Sequence, residues 1–313
     1  MISRQKTPAG SPASADFTTE IFPDGRPRPI GTVYLENGAC PLACVYCALY
    51  LQAGSEPATG EEIAAQIRAA RARLPPIDGI KLYNASSLFE PRSIRQTPAD
   101  LRAIAAAVED LPLVVVEARS ENAHRALDLA PLLRGRLEVA IGLEVADDAL
   151  LRRLRKPTTV ARFREAAAIL RGASISLRAF VLVQPPFVSG DAARRLAFAT
   201  FDLARAEGAR VVSLLPVVSE HPPMEELRGK GDFTEISVEG YFDVVARCAS
   251  SGGTVVLAEI DGLDRLPGCP ACRARRTAAL ARLNATGLLA RVDCTLPPKT
   301  ADPLSPARSG APR

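Results

Sequence analysis

The chain has 313 residues, of which 47% are hydrophobic and 24% charged, with no tryptophan and a net charge of +4; this is enough apolar material for one sizeable core and excludes a chain dominated by disorder or by a single sign of charge. No apolar run reaches the roughly eighteen residues that a membrane-spanning helix needs. Seven cysteines at ligand-like spacings argue for metal binding in a reducing compartment rather than for disulfides, so a cytoplasmic protein is expected.

Residues 1–28 are rich in Pro, Ala, Ser and Thr and have no apolar h-region, which predicts a disordered tail rather than a targeting signal. Short apolar runs then alternate with longer amphipathic ones. The runs predict strands at 32–37, 79–84, 113–119, 137–144, 174–183, 211–218 and 254–260. Between them, helices are predicted at 61–74, 98–110, 121–134, 160–171, 191–207 and 233–251. Seven strands with intervening helices define an α/β core over residues 29–262, a C-terminal extension over 263–295 and a second disordered tail over 296–313. The pattern suits a partial (β/α)6 barrel, with an open doubly wound sheet as the alternative. In either fold, ligands bind at the carboxyl ends of the strands.

Just after the first predicted strand, Cys40, Cys44 and Cys47 spell C-x3-C-x2-C. One short loop with this spacing can supply three thiolates to a cubane 4Fe–4S cluster and leave the fourth iron open to a small molecule. The alternatives are a zinc site short of one ligand, or three buried thiols. The spacing, with the aromatic Tyr46 before the third cysteine, resembles the signature of the radical S-adenosylmethionine (radical SAM) superfamily. The resemblance implies a partial barrel and a reaction in which the reduced cluster cleaves SAM to a 5′-deoxyadenosyl radical that abstracts hydrogen from a substrate. It also implies a one-electron reductant such as flavodoxin or ferredoxin. Tyr46 would lie near the adenine, or simply pack the loop onto the barrel rim.

Polar residues at predicted strand ends are the candidates for holding SAM. The run Lys81-Leu-Tyr-Asn-Ala-Ser-Ser-Leu-Phe-Glu90 lies where many members of the superfamily carry a Gly-Gly-Glu type turn around the SAM amino group; the glycines are absent here. Asn84, Ser86 and Ser87 can take that role, against an ordinary βα turn. Glu144 closes the apolar strand 137–144 and needs a partner there. A bound ribose or the SAM amino group would supply one; the alternative is that Glu144, with Asp147 and Asp148, charges the start of the next helix. Arg178 shares an alternating face with Phe180 and Leu182 and requires an anion, either the SAM carboxylate or Glu144 on the neighbouring strand. Pro216 ends its strand, where the terminal backbone can meet adenine.

The runs Lys81–Asn84, Glu138–Asp148 and Arg178–Phe187 look like the radical SAM group that contains the archaeosine-synthase subunit and its bacterial relatives, related in turn to the elongator catalytic subunit. That resemblance implies a nucleoside or tRNA base as substrate, with a small metabolite or natural product as the alternative. A non-enzymatic iron–sulfur or zinc protein that senses redox state or binds RNA is the competing class. Cys269, Cys272 and the later Cys294 form a second set, suited to zinc or to a second iron–sulfur cluster. Cys248 reads as core, His221 as a solvated loop residue and His124 as an ordinary helix residue. Between Arg265 and Arg291 there are six arginines and no acidic residue, either a phosphate-gripping face or a solvated one.

Overall fold

The computed structural model describes residues 14–294, so the predicted tail at 296–313 lies outside the described residues. Eight strands form one sheet in the order β1-β2-β3-β4-β5-β6-β7-β8. They are β1 Ser14–Ile21, β2 Pro27–Leu35, β3 Gly79–Asn84, β4 Leu113–Ala118, β5 Arg136–Glu144, β6 Ser176–Val183, β7 Val211–Pro216 and β8 Val255–Ala258. Of the seven neighbouring pairs from β1 to β8, the first, β1 with β2, is antiparallel and the other six are parallel. The helices are α1 Gly60–Arg71, α2 Pro98–Ala106, α3 Ala126–Leu129, α4 Asp148–Arg153, α5 Val160–Gly172, α6 Gly190–Ala206, α7 Pro222–Gly229, α8 Val238–Ala249 and α9 Pro270–Thr286.

The strands alternate as a barrel wall should. Outward residues such as Val33, Leu82, Val116, Ile141, Ala179 and Val212 join the helices in the main core, while Ile30, Val115, Ala140, Tyr83 and Phe180 meet inside. Capping boxes at Thr59/Glu62 and Thr97/Asp100 start α1 and α2, as the Ser/Thr-x-x-acid spacing dictates. The predicted barrel of parallel strands is therefore present, with three local differences. The expected helix at 121–134 is a short α3 between two 3-10 turns, because Pro131 lacks the N–H that a longer helix would need. The predicted helix from 233 starts only at Ser237, whose side chain caps Gly240 N. Between β7 and α8 lies the unpredicted α7, which begins on Pro222 and Pro223, residues pre-organised for a first turn.

The N-terminal tail expected through residue 28 requires the largest correction. Residues 14–28 are ordered: β1 lies antiparallel on β2, joined by a tight turn in which Phe22 N donates to Arg26 O at 3.1 Å. Gly25 supplies a φ of 76° there, a conformation glycine adopts without a Cβ penalty. Ile21 packs with Val211, Leu257 and Val255 from the far side of the sheet. Helix α9 covers the remaining seam, packing on both β1 and β8. Asn284 from α9 donates to Ala258 O at 2.8 Å and accepts from Ala258 N at 2.7 Å, so its amide serves part of the β8 edge as another strand would. Among the described residues, no helix is long and apolar enough to cross a membrane.

Candidate active site

A cavity of about 370 Å³ opens at the carboxyl ends of the parallel strands. Its wall collects Tyr34 from β2, Asn84 from β3, Glu117 from β4, Gly142 and Glu144 from β5, Phe180 and Leu182 from β6, Pro216 from β7 and Glu259 just beyond β8. Cys40, Cys44, Tyr46 and Cys47 close it from the loop that follows β2.

That loop is anchored by residues the sequence reading did not single out. Asn37 donates to Gly38 O at 2.8 Å and to Ser93 Oγ at 2.5 Å, and its carbonyl accepts from Ala85 N at 3.2 Å. Gly54 N reaches Asn37 O at 2.8 Å, so one asparagine pins both ends of the cysteine loop. A Cβ at Gly38 would lie 2.5 Å from the carbonyl oxygens of Glu56 and Arg92, which explains the glycine at that crossing. On its other side the loop rests on the segment after α4, with Val45 N donating to Leu154 O at 3.1 Å and Cys44 Sγ 3.6 Å from Arg155 O.

Glu144 stands at a β-bulge, with φ of 63°, a strained conformation for a non-glycine residue that bulges use to re-aim a side chain. Its carboxylate accepts from Lys156 Nζ at 2.8 Å and hydrogen-bonds Tyr46. The alternative role beside the next helix falls to its neighbours: Asp147 caps Leu150 N and Asp148 accepts from Val160 N, each at 2.8 Å. Burial would depress the Lys156 ammonium, but Glu144 and the thiols of Cys44 and Cys47 outweigh it and raise its pKa. Burial pushes the Cys44 thiol up, and the Cys47 thiol up to about 12; thiolates here call for a cationic centre to hold them.

Three residues that line the cavity each hold one buried polar atom with no protein partner: Asn84 Oδ1, Ser86 Oγ and Arg119 Nε. Such atoms are costly unless a ligand satisfies them. Arg119 also pairs with Glu90. Burial pushes Glu117 up to about 8, against the lowering effects of the Asn84 N–H and Lys156. Ser87 does not face the cavity; its hydroxyl accepts from Phe89 N at 3.2 Å within the turn.

Arg178 corrects the sequence reading. It lies inside the barrel beneath the cavity, where its Nε donates to Glu138 at 2.7 Å and its Nη2 to Glu20 at 3.3 Å. Lys81 shares Glu20. Tyr83 and Phe180, edge-to-face with ring centroids 6.0 Å apart, lie on the same inward faces one step nearer the cavity. With two carboxylates already on its guanidinium, Arg178 is spent on the barrel interior. Its expected partner Glu144 lies instead on Lys156.

No protein-family model matches the chain. The archaeosine synthase subunit beta of Thermococcus kodakarensis is 27% identical over 155 residues, 47% of this chain, and the match spans about half, 48%, of that relative's length. Methylornithine synthase superposes with a TM-score of 0.57 at 12% identity, covering 87% of this chain and 75% of that one. A radical SAM methyltransferase from Sphaerobacter thermophilus superposes with a TM-score of 0.53 at 17% identity, covering 79% and 70% of the two chains. The chain shares its fold with these radical SAM enzymes.

Within the barrel, the structure brings Cys40, Cys44, Cys47, Tyr46, Asn84, Ser86 and Glu144 to one cavity and keeps Arg178 out of it. The donor set fits an iron–sulfur cluster with a polar ligand beside it: three thiols on one side, and an amide oxygen, a hydroxyl and one guanidinium nitrogen without partners on the other. Lys156, Glu117 and Arg119 were missed, although Glu117 and Arg119 stand at the end of a predicted strand, the place where chemistry was expected. His221, read as a solvated loop residue, is buried at 4% exposure, with Nδ1 2.9 Å from Ser219 Oγ. Cys248 is core, as expected. Two arginines after residue 265 are engaged locally, Arg273 on Asp264 O and Leu266 O and the buried Arg276 on Glu239, which counts against their use as a phosphate grip.

Proposed function

We propose that the chain is a radical SAM enzyme that acts on a nucleoside or tRNA base, with Cys40, Cys44 and Cys47 as the ligands of its 4Fe–4S cluster. When bound, the cluster and SAM together supply a 5′-deoxyadenosyl radical that takes hydrogen from the substrate. The observation that carries this reading is the convergence of the three cysteines with unpartnered buried polar atoms at the strand ends of one cavity.

The chain's own residues have distinct tasks in this account. Asn84 Oδ1 and Ser86 Oγ accept from the SAM amino group. Arg119, in place of Arg178, faces the SAM carboxylate, while Glu90 fixes its other edge. Glu144, oriented by Lys156 at 2.8 Å, accepts from the ribose hydroxyls, and Tyr46 packs beside the adenosine. The protein residues thereby hold the sulfonium in one orientation and exclude water from the reacting atoms.

The nucleoside assignment is supported by the archaeal relative, which is an archaeosine synthase subunit. A small metabolite is the second reading, favoured by the local engagement of Arg273 and Arg276 noted above. The test is to incubate the anaerobically reconstituted, reduced chain with SAM and bulk tRNA, then analyse 5′-deoxyadenosine and digested nucleosides by mass spectrometry. A tRNA-stimulated yield with a nucleoside of altered mass is expected. A yield raised by a small-molecule extract but not by tRNA assigns the second reading, and no yield under any condition sinks both.

A further inference from the structure

Helix α9 begins at a cysteine cap and ends where the chain turns back on it. Cys269 is its N-cap and Cys272 lies in its first turn. Gly287, with φ of 73°, ends it through a 2.7 Å bond from its N–H to Leu283 O. Seventeen helical residues extend about 26 Å, and a returning segment of eight residues can span about the same distance only when nearly extended. The return does this: Leu289 and Val292 pack against the core, and Cys294 arrives at Cys269 and Cys272.

The three sulfur atoms lie within 4.8 Å of one another, and those of Cys294 and Cys269 are 3.7 Å apart. A tetrahedral ion with metal–sulfur bonds of 2.3 Å sets its ligands about 3.8 Å apart. In a cubane each thiolate sits on its own iron, so the width of the cluster stands between the sulfurs. The spacing is therefore that of a single ion. The surroundings suit the negative charge of three thiolates on a divalent metal: two of the ligands sit at the positive end of α9, and Arg275 Nη2 lies 3.4 Å from Cys272 Sγ while donating to Asp293 O at 3.2 Å.

We propose that Cys269, Cys272 and Cys294 bind one zinc ion that fastens the returning C-terminal segment to α9 and so locks α9 over the barrel seam. The site is separate from the cysteine loop at residues 40–47 and does not depend on it. It lies at the same end of the barrel as the cavity: Cys269 N donates to Glu239 at 2.9 Å at the start of α8, and α9 runs from there to the opposite end, where Gly287 meets Ile21. Cys294 is exposed, which leaves the fourth tetrahedral position to water. Because Glu239 also takes Arg276 at 2.8 Å, the zinc, α8 and α9 form one unit behind the cavity wall that carries Glu259 and Asp261.

The test is metal analysis of the full chain as purified, and of the apo chain refilled with cobalt(II). Three proteins are compared: wild type, Cys272→Ser, and a chain with Cys40, Cys44 and Cys47 all changed to alanine. One zinc per chain is expected in the wild type and in the triple variant, falling at least tenfold in Cys272→Ser, with thiolate-to-cobalt charge-transfer absorption in the refilled wild type. The wild-type and triple-variant readouts stand even where Cys272→Ser folds poorly. The proposal is overturned by absence of zinc from both of those chains, by iron and sulfide retained in the triple variant, or by a Cys269–Cys294 disulfide in protein purified without oxidant.

Discussion

Lys156 donates to the Glu144 carboxylate across 2.8 Å, and the pair fills the space that Gly142 leaves open. A Cβ at position 142 would stand 2.2 Å from Glu144 Oε1 and 2.8 Å from Lys156 Nζ. The glycine, the bulge and the left-handed backbone at Glu144 thus serve one end, which is to aim a charged pair at the cavity rather than at the helix that follows.

Substitution of one partner should therefore be worse than substitution of both. Glu144→Gln leaves a buried ammonium without its carboxylate and should destabilise the fold by about 3 kcal/mol. The double variant Glu144→Gln/Lys156→Met should recover much of that stability and yet bind SAM at least tenfold more weakly than wild type. Urea unfolding and equilibrium SAM binding separate the two effects. Recovery of both stability and SAM affinity in the double variant would remove Glu144 from the ligand site.

Gly142→Ala tests the same pair without removing a charge. Its methyl must displace the carboxylate, so SAM binding should weaken at least tenfold while the unfolding midpoint moves little; an unchanged SAM affinity would mean that the orientation of the pair is immaterial.

Arg178 should behave as a structural cation. Arg178→Ala strands Glu138 inside the barrel and leaves Glu20 to Lys81 alone, and should cost about 3–5 kcal/mol in unfolding free energy. Burial would raise the Glu20 carboxyl, but Lys81 and Arg178 outweigh it and hold it down at about 2. A depressed native pKa gives stability that is present above the unfolded value of 4.5 and is lost as pH falls toward 2. Glu20→Gln should accordingly flatten the acid limb of the stability curve. Normal stability of Arg178→Ala with loss of SAM binding would restore the role first read for it from the sequence.

The barrel was legible because β3 to β8 are apolar runs of a length that fits strands, each followed by a segment with helical periodicity. The first cysteine set stood out because its three cysteines lie on one loop. Arg178 was misassigned for a physical reason: its inward face could be read from the alternation with Phe180, but its counter-ion Glu20 comes from 158 residues away in sequence, in a stretch whose composition resembled a tail. The signal that could have corrected this was Phe22-Pro-Asp-Gly-Arg26, a turn motif that marks a hairpin and hence strands on both sides. Lys156 carried no such mark. It reaches the cavity only because the chain after α4 folds back under the cysteine loop, a tertiary event with no local periodicity.

Glu117 gives a pH dependence of the opposite sign. Burial raises its carboxyl to about 8 from 4.5, so the native state keeps a proton that the unfolded chain releases. Its contribution to stability is full below 4.5 and declines as pH rises toward 8, by up to about 4 kcal/mol. Unfolding free energies of wild type and Glu117→Gln between pH 5 and 8 should diverge, with the variant less sensitive to pH; parallel curves would show that Glu117 titrates normally.

If the loop of Cys40, Cys44 and Cys47 drives SAM cleavage, 5′-deoxyadenosine formed by the anaerobically reconstituted, dithionite-reduced chain reports it directly. Wild type should produce it, and Cys44→Ala, with the barrel still folded by circular dichroism, should produce none. Equal yields from the two proteins, or no yield from a wild-type preparation whose cluster is intact and reducible, would contradict the account.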